Sequence, residues 1–379
     1  MPKITEYIHL LTGTALTQRQ IIAHRFGVRG ARPKAYIQAS LHADEIPGML
    51  VAHHLLKLLD QADQKNQIRG EIVVIPVANP IGLSQFMNAK LTGWYELGGA
   101  GNFNRNWPDL YSALPETIGH LLTPNADHNT QIIRQGIQQI LDQAKPFSEM
   151  SSLKLTLARL AFDSDFVLDL HCDDEALMHL FLTPAHWPDA TDLAAELGSY
   201  ASLLSADSGG QSFDESLSTP WIKLATDFPN WPIPAACMAA TVEHRGSADV
   251  NDELALKDAQ GIFRFLQRRQ LVAGNPGALP PLLNQATDFT ACDIIKAPTG
   301  GIVVYRKRLG EPVKKGEVIA EIVDPVAIDS SQARIPVVSV TDGFILSRRL
   351  DHFLRPSDTV AKVVGKIPLP HRNGLLLED

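Results

Sequence analysis

Residues 35–77 narrow the choice of fold more than any other stretch. Tyr36 to Leu41 is a short apolar run, broken by His42-Ala-Asp-Glu45 and followed by a helical pattern through Leu59. After a polar turn, Gln61 to Gly70, comes Glu71-Ile-Val-Val-Ile-Pro-Val77, a β-branched run of the kind buried on both faces. Strand, helix, strand is a βαβ unit, and it requires a parallel sheet. Reactive groups of such sheets collect at the carboxyl ends of the strands, where His42 and Glu45 fall. A histidine and a carboxylate three residues apart can share one metal ion, and zinc accepts both while keeping a position open for water. Taken alone, the pair also fits a plain helix start, with Asp44 and Glu45 at the positive end of the helix dipole.

The rest of the chain supplies the context. Its 379 residues suffice for two domains, or one large domain with an appendage. A net charge of −8 gives no electrostatic case for nucleic acid. Three scattered cysteines, Cys172, Cys237 and Cys292, suit a reducing compartment rather than a disulfide framework. The N-terminus has no apolar leader and no run is long enough to span a bilayer, so a cytoplasmic protein without a membrane partner is expected.

Taken in order, Ile4 to Leu11 reads as an edge strand, and residues 79–111 as a long loop with too many aromatics to be disordered. That loop carries Asn104-Arg105, a guanidinium fork and an amide suited to gripping a carboxylate, although a structural salt bridge is the alternative for Arg105. Helical patterns cover 126–144 and 148–161. Phe166-Val-Leu-Asp-Leu-His171 is a second strand ending in a histidine, and Asp169, on the same face, is placed to orient its ring. A strand over Met178–Leu182 and a helix over Asp189–Ser202 follow. Ser205–Pro234 reads as a second long loop that could close over a pocket. Cys237 to Glu243 is a further buried strand with a charged end, and Asp249–Leu271 a helix. Cys172 reads as inert, Asp173-Asp174-Glu175 as a solvated turn, and His244 and Arg245 as either substrate-binding or structural.

His42-Ala-Asp-Glu45, Asn104-Arg105, Asp169-Leu-His171 and Thr241-Val-Glu243 together resemble, in motif and order, the zinc carboxypeptidase superfamily. The closer likeness is to its deacylase branch, the succinylglutamate desuccinylase/aspartoacylase family, over roughly residues 30–275. The resemblance implies one zinc ion per chain held by His42, Glu45 and His171. It makes Glu243 the catalytic carboxylate, and gives Asn104 and Arg105 the α-carboxylate of the substrate. The superfamily usually places a further arginine ahead of the Asn-Arg pair to steady the oxyanion. Here Gln85 to Asn104 contains none, and Lys90 is the nearest cation, with Trp94 in the region where the arginine is expected. Lys90, another segment, or zinc alone must then do that work.

Past a Gly- and Pro-rich linker the chain becomes short strands and turns. Gly301-Ile-Val-Val-Tyr-Arg-Lys and Gly343-Phe-Ile-Leu-Ser-Arg-Arg repeat one another, as do 313–323 and 354–364 one residue out of step. Together with Ala297-Pro-Thr-Gly-Gly-Ile-Val they resemble lipoyl/biotinyl carrier domains. Residues 324–340 contain no lysine to modify, so an unmodified barrel-sandwich hybrid is expected. The roles left to it are packing, contact within a homo-oligomer, or shaping the pocket entrance.

The expectation is therefore an α/β fold, a mixed, largely parallel sheet with helices on both faces, plus a small all-β barrel-sandwich domain. The divisions are a catalytic domain over 1–275, a linker over 276–290 and the β domain over 291–379. The expected activity is zinc-dependent removal of an acyl group from a small N-acyl amino acid. A zinc carboxypeptidase acting on short peptides, and a non-catalytic binding protein on the same fold, are the competing readings.

Overall fold

The computed structural model describes residues 3–377. The first unit runs β1 (Ile4–His9), β2 (Gln20–Phe26), β3 (Lys34–Ala39), α1 (Ile46–Gln64) and β4 (Glu71–Ile75). Two small hairpins, β5–β6 (Phe86–Met87, Lys90–Leu91) and β7–β8 (Tyr95–Glu96, Gly101–Asn102), lie in the loop that follows. Next come α2 (Leu114–Ile118), α3 (Ala126–Gln143), α4 (Glu149–Ala161), β9 (Phe166–Asp173), β10 (Glu175–Ala176) and β11 (His179–Leu182). Then follow α5 (Thr191–Leu197), β12 (Ala201–Leu204), α6 (Phe213–Asp227), β13 (Met238–Gly246), α7 (Asp252–Arg268) and β14 (Thr287–Asp288).

Nine of these strands form one sheet in the order β1-β2-β4-β3-β9-β13-β11-β12-β14. Its centre, β4-β3-β9-β13, is parallel, as the βαβ signature requires. Strand residues alternate between two cores. Tyr36, Val73, Ile75, Val167 and Ala239 face α3, α4 and α6. Ala35, Ile37, Ile72, Val74, Leu168 and Val242 face α1, α5 and α7. Burial on both faces is why these runs read as continuous rather than alternating apolar sequence. Among the described residues no helix is long and apolar enough to cross a membrane.

Three segments differ from the sequence reading. Ser205–Pro234 is not all loop, because α6 occupies its middle with Pro220 inside it. Phe213, Leu217, Trp221 and Leu224 share one buried face, and their burial offsets the proline's cost of ~3 kcal/mol. The helix expected over 189–202 stops at Leu197, where Gly198 takes a left-handed cap, and Ala201–Leu204 turns back as β12. Residues 20–26, read only as mixed, form β2. The stretch read as a linker also contributes, since β14 pairs with β12 at the edge of the main sheet.

The C-terminal region adds β15 (Cys292–Lys296), β16 (Gly301–Tyr305), β17 (Pro312–Val313), β18 (Val318–Val323), β19 (Arg334–Val338), β20 (Gly343–Arg348), β21 (Phe353–Leu354) and β22 (Thr359–Val364). They form a sheet β19-β18-β16-β21 and another ordered β10-β20-β22-β15, with β17 also on β20. The two repeated segments thus become hairpin partners in different sheets, β16 with β18 and β20 with β22. Strand β10, which follows the His171 strand, is annexed by the C-terminal sheet, with Glu175 opposite Arg348 and Ala176 opposite Ser347. Three ion pairs in sequence accompany it: Asp173 with Lys362 (2.6 Å), Asp174 with Arg349 (3.1 Å) and Glu175 with Arg348 (2.7 Å). The acidic run read as a solvated turn is the docking strip of the C-terminal region.

Helix α1 comes close to the His171 strand at Gly48, where an added Cβ would stand 2.8 Å from the Leu170 carbonyl oxygen. A Gly48→Val substitution must push α1 away from β9. It is expected to destabilise the fold by about 1–3 kcal/mol in a denaturant titration, and to weaken metal retention by displacing Glu45 at the head of α1.

Candidate active site

The carboxyl ends of three adjacent parallel strands build the site. His42 follows β3 by three residues, His171 lies on β9, and Glu243 stands directly opposite His171 on β13. Ser40 takes a left-handed conformation (φ 65°) that turns the chain off β3 toward His42. Glu45 caps α1 and is buried between the two imidazoles. Its Oε1 lies 2.8 Å from His42 Nδ1 and its Oε2 2.8 Å from His171 Nδ1, while the Cys172 backbone N–H donates to Oε2 at 3.0 Å. His42, Glu45 and His171 each offer a ligand atom, all within 4.8 Å of one another.

The far side of each ring is also held. His42 Nε2 donates to Asn102 Oδ1 (2.9 Å), and the Asn104 backbone N–H donates to the same oxygen (2.7 Å). Asp169 Oδ2 lies 2.8 Å from His171 Nε2, on the face of β9 that the two-residue spacing predicts. A buried chain steadies Asp169: Gln38 donates to its Oδ1 (2.9 Å), and the Tyr36 hydroxyl donates to Gln38 (2.6 Å). With oxygens on both Nε2 atoms, the two Nδ1 atoms converge as donors to a cation. Charge asks for one too. Burial opposes a charge on His171, but the Asp169 and Glu45 carboxylates outweigh it and hold its pKa well above the usual value. Burial likewise opposes ionisation of Glu45, yet His171 and His42 bring it down to about 2. The donor set, two imidazoles and one carboxylate, fits zinc.

Glu243 is half-buried, and its Oε2 is shielded from solvent with no hydrogen-bond partner among the described residues. Burial and the carboxylates of Glu45 and Asp173 push it up to about 8, against the pull of His171 and Lys362. Asn104 spends its side-chain oxygen on the Phe213 N–H (2.8 Å) and the Trp107 indole N–H (3.2 Å), tying the loop to the start of α6. Arg105 packs against Gly210, and the Lys154 ammonium donates to its carbonyl oxygen at 2.5 Å. Burial pulls Lys154 down to about 8.

All six sequence-derived residues, His42, Glu45, Asn104, Arg105, His171 and Glu243, line one cavity of about 550 Å³. Lys90 does not; it sits exposed on a hairpin. Trp94 stacks on His42, with ring centroids 4.3 Å apart. His244 and Arg245 both pair with Asp258 and serve structure. Cys172 is inert, since burial first and nearby carboxylates second push its thiol far up. Sequence reading missed Asn102, Lys154 and Lys362. The first stood two residues before a motif already singled out; Lys154 lies on a helix without one, and Lys362 lies inside the 354–364 repeat, which was read for fold and not for chemistry.

A sequence model of the succinylglutamate desuccinylase/aspartoacylase catalytic domain matches residues 31–127, the stretch that carries His42, Glu45, Asn104 and Arg105. A protein of that family from Shewanella amazonensis has the same fold, with a TM-score of 0.82 at 22% identity over 96% of this chain and 98% of that one. Its counterpart from Shewanella frigidimarina gives 0.82 at 22% over 96% and 97%. The ectoine utilization protein EutE (DoeB) from Ruegeria pomeroyi gives 0.69 at 15% over 96% and 95%. A search of curated protein sequences finds no match. The family resemblance and the α/β fold read from the sequence are thus borne out.

Two outcomes follow from this geometry. An Asn102→Ala variant should hold metal about 10–100-fold less tightly in a chelator competition, because His42 loses the acceptor that orients it. Lys154 carries its charge below about pH 8 and loses it above. Lys154 does not line the cavity and acts by holding the Arg105 carbonyl oxygen. As that charge-assisted grip is lost above about pH 8, KM for a carboxylate substrate should climb, and a Lys154→Met variant should start from a raised KM with that climb removed.

Proposed function

We propose that the protein is a zinc-dependent amide hydrolase that removes the acyl group from a small N-acyl amino acid. The observation that carries this reading is the convergence of His42, Glu45 and His171 within 4.8 Å, in one cavity with the Glu243 carboxylate, Asn104 and Arg105. We assign the zinc to those three ligands, one ion per chain. When bound, zinc supplies Lewis acidity for the carbonyl and makes water acidic enough to react near neutral pH.

The side chains do the rest. Arg105, with the Asn104 amide nitrogen, holds the carboxylate of the amino-acid part and so fixes where the amide falls. Glu243, with a pKa near 8, takes a proton from the attacking water and hands it to the departing amine nitrogen. With a cation held by the three ligands, the Glu243 carboxylate would ionise more readily and could serve as the base at neutral pH. Trp94 covers one face of the His42 ring and keeps bulk water from it.

The C-terminal region favours the small amide over a peptide chain. Arg348, Arg349, Lys362, Leu376 and Leu377 all line the cavity, so the site is roofed by a second part of the molecule. We propose that 1–275 forms the catalytic domain, 276–290 the connection and 291–379 that roof.

Elemental analysis tests the site first. About one zinc per chain is expected in the purified protein and none in a His171→Ala variant. With a panel of N-acyl amino acids and dipeptides, Glu243→Gln should keep its zinc and lose kcat by about 10²–10⁴-fold. Full activity in Glu243→Gln, or a wild-type protein that neither holds nor takes up zinc, would remove this mechanism.

A further inference from the structure

Amide hydrolysis builds negative charge in two places. Glu243 sees the proton of water, and the carbonyl oxygen becomes an oxyanion that needs a fixed positive partner. No cation of the 79–111 loop ahead of Asn104 lines the cavity; Lys90 is solvent-exposed. The cavity's remaining cations come from Arg105 and the C-terminal region. Arg348 and Arg349 are engaged by Glu175 and Asp174, Arg355 is 84% exposed beside Asp358, and Lys296 is exposed and donates to the Thr359 hydroxyl. Lys362 differs. It projects from the middle of β22, opposite Ser347 and Ile294, with its side chain only 17% exposed. Asp173, two residues beyond His171 on β9, holds its Nζ at 2.6 Å. The charges of Lys362 and Glu243 are felt by each other across the cavity wall.

We propose that Lys362 is a catalytic residue, supplied by the C-terminal region, whose ammonium stabilises the oxyanion of the reaction. The inference rests on the hydrolase reading given above. An ammonium has three N–H groups, and Asp173 takes one, which leaves donors for a substrate oxygen. In the reaction, the water oxygen bonds to the carbonyl carbon while Glu243 takes one proton, and the C=O π pair moves onto oxygen beside Lys362. When that pair returns, the C–N bond breaks with its electrons going to nitrogen, which receives the proton from Glu243. The acid released passes its own proton to the free amine, giving carboxylate and ammonium. The annexed strand β10 explains how a residue so distant in sequence is placed. It stitches the β20–β22 hairpin to the end of the His171 strand, so Lys362 is fixed relative to both His171 and Glu243.

The test compares Lys362→Met, Lys362→Arg and Asp173→Asn in the full-length, zinc-loaded protein. Lys362→Met should lower kcat about 10²–10³-fold with KM within about 3-fold of wild type, and arginine should recover most of the loss. Asp173→Asn breaks the same ion pair but keeps the cation, so it should lose about 10-fold at most. Binding of inorganic phosphate, a tetrahedral oxyanion, followed by calorimetry, should weaken at least about 10-fold in Lys362→Met at unchanged zinc content. Equal losses in Lys362→Met and Asp173→Asn would make the lysine a docking residue and overturn the proposal. So would an unchanged kcat with unchanged phosphate affinity. If the wild type cleaves no N-acyl amino acid, the hydrolase reading falls, and the phosphate comparison still decides whether Lys362 holds an oxyanion.

Discussion

The Glu45 carboxylate is the contact on which the arrangement depends. One oxygen faces His42, the other faces His171, and the Cys172 backbone N–H donates to the second oxygen. A buried carboxylate without such partners would cost several kcal/mol. Satisfying it requires that β3, the head of α1 and the end of β9 meet within a few ångströms. The tight approach of Gly48 to Leu170 permits that meeting, and the two apolar cores hold the sheet and helix in place around it. Energetically the cores stabilise the fold, and the polar cluster selects which register and helix position they stabilise.

A second layer of polar contacts connects the His42–Glu45–His171 cluster to the Asn104–Arg105 pair. Asn102 accepts from both His42 and the Asn104 backbone, and Asn104 in turn accepts from the N-terminus of α6. A displacement at Asn104 is therefore transmitted to His42 through Asn102. The C-terminal region is joined in the same way. The run Asp173-Asp174-Glu175 leaves the His171 strand and pairs, residue by residue, with Lys362, Arg349 and Arg348. The two parts share one strand, one row of ion pairs and an apolar cluster in which Leu203 of β12 packs with Phe289, Leu346 and Val364.

Much of this was legible because strand ends carry their own signal. A run such as Phe166–His171 gives both the buried strand and the residue delivered at its end, and parallel packing brings such ends together. That logic puts His42, His171 and Glu243 at strand ends from the sequence alone. It failed where chemistry arises between elements distant in sequence. Asp173 to Glu175 looks solvated until its cationic partners, 173–189 residues later, are in place. Lys362 sits in an ordinary strand pattern and Lys154 on an ordinary amphipathic helix. Helix α6 was hidden for another reason. Pro220 reads as a breaker, while the buried stripe Phe213, Leu217, Trp221 and Leu224 that overrides it is tertiary in origin.

The backbone also carries a cost at this site that side-chain patterns do not reveal. Ser40, Asn106 and Arg245 all have left-handed φ values, 65°, 55° and 64°. Each stands one or two residues from a site residue: His42, Arg105 and Glu243. For residues with a Cβ this conformation costs roughly 1–2 kcal/mol apiece. The surroundings fix two of them directly. Asn106 N–H donates to Gly210 across the loop pairing, and Arg245 is tied to Asp258 on α7. Sharp turns at these points let three chain segments deliver side chains into one cavity from the same edge of the sheet. Glycine would adopt the same turns without strain but would raise the entropy lost on ordering them. A strained, fully braced turn gives up stability and returns a side chain whose direction is set before the substrate arrives, which is the condition for fixed charges to act in catalysis.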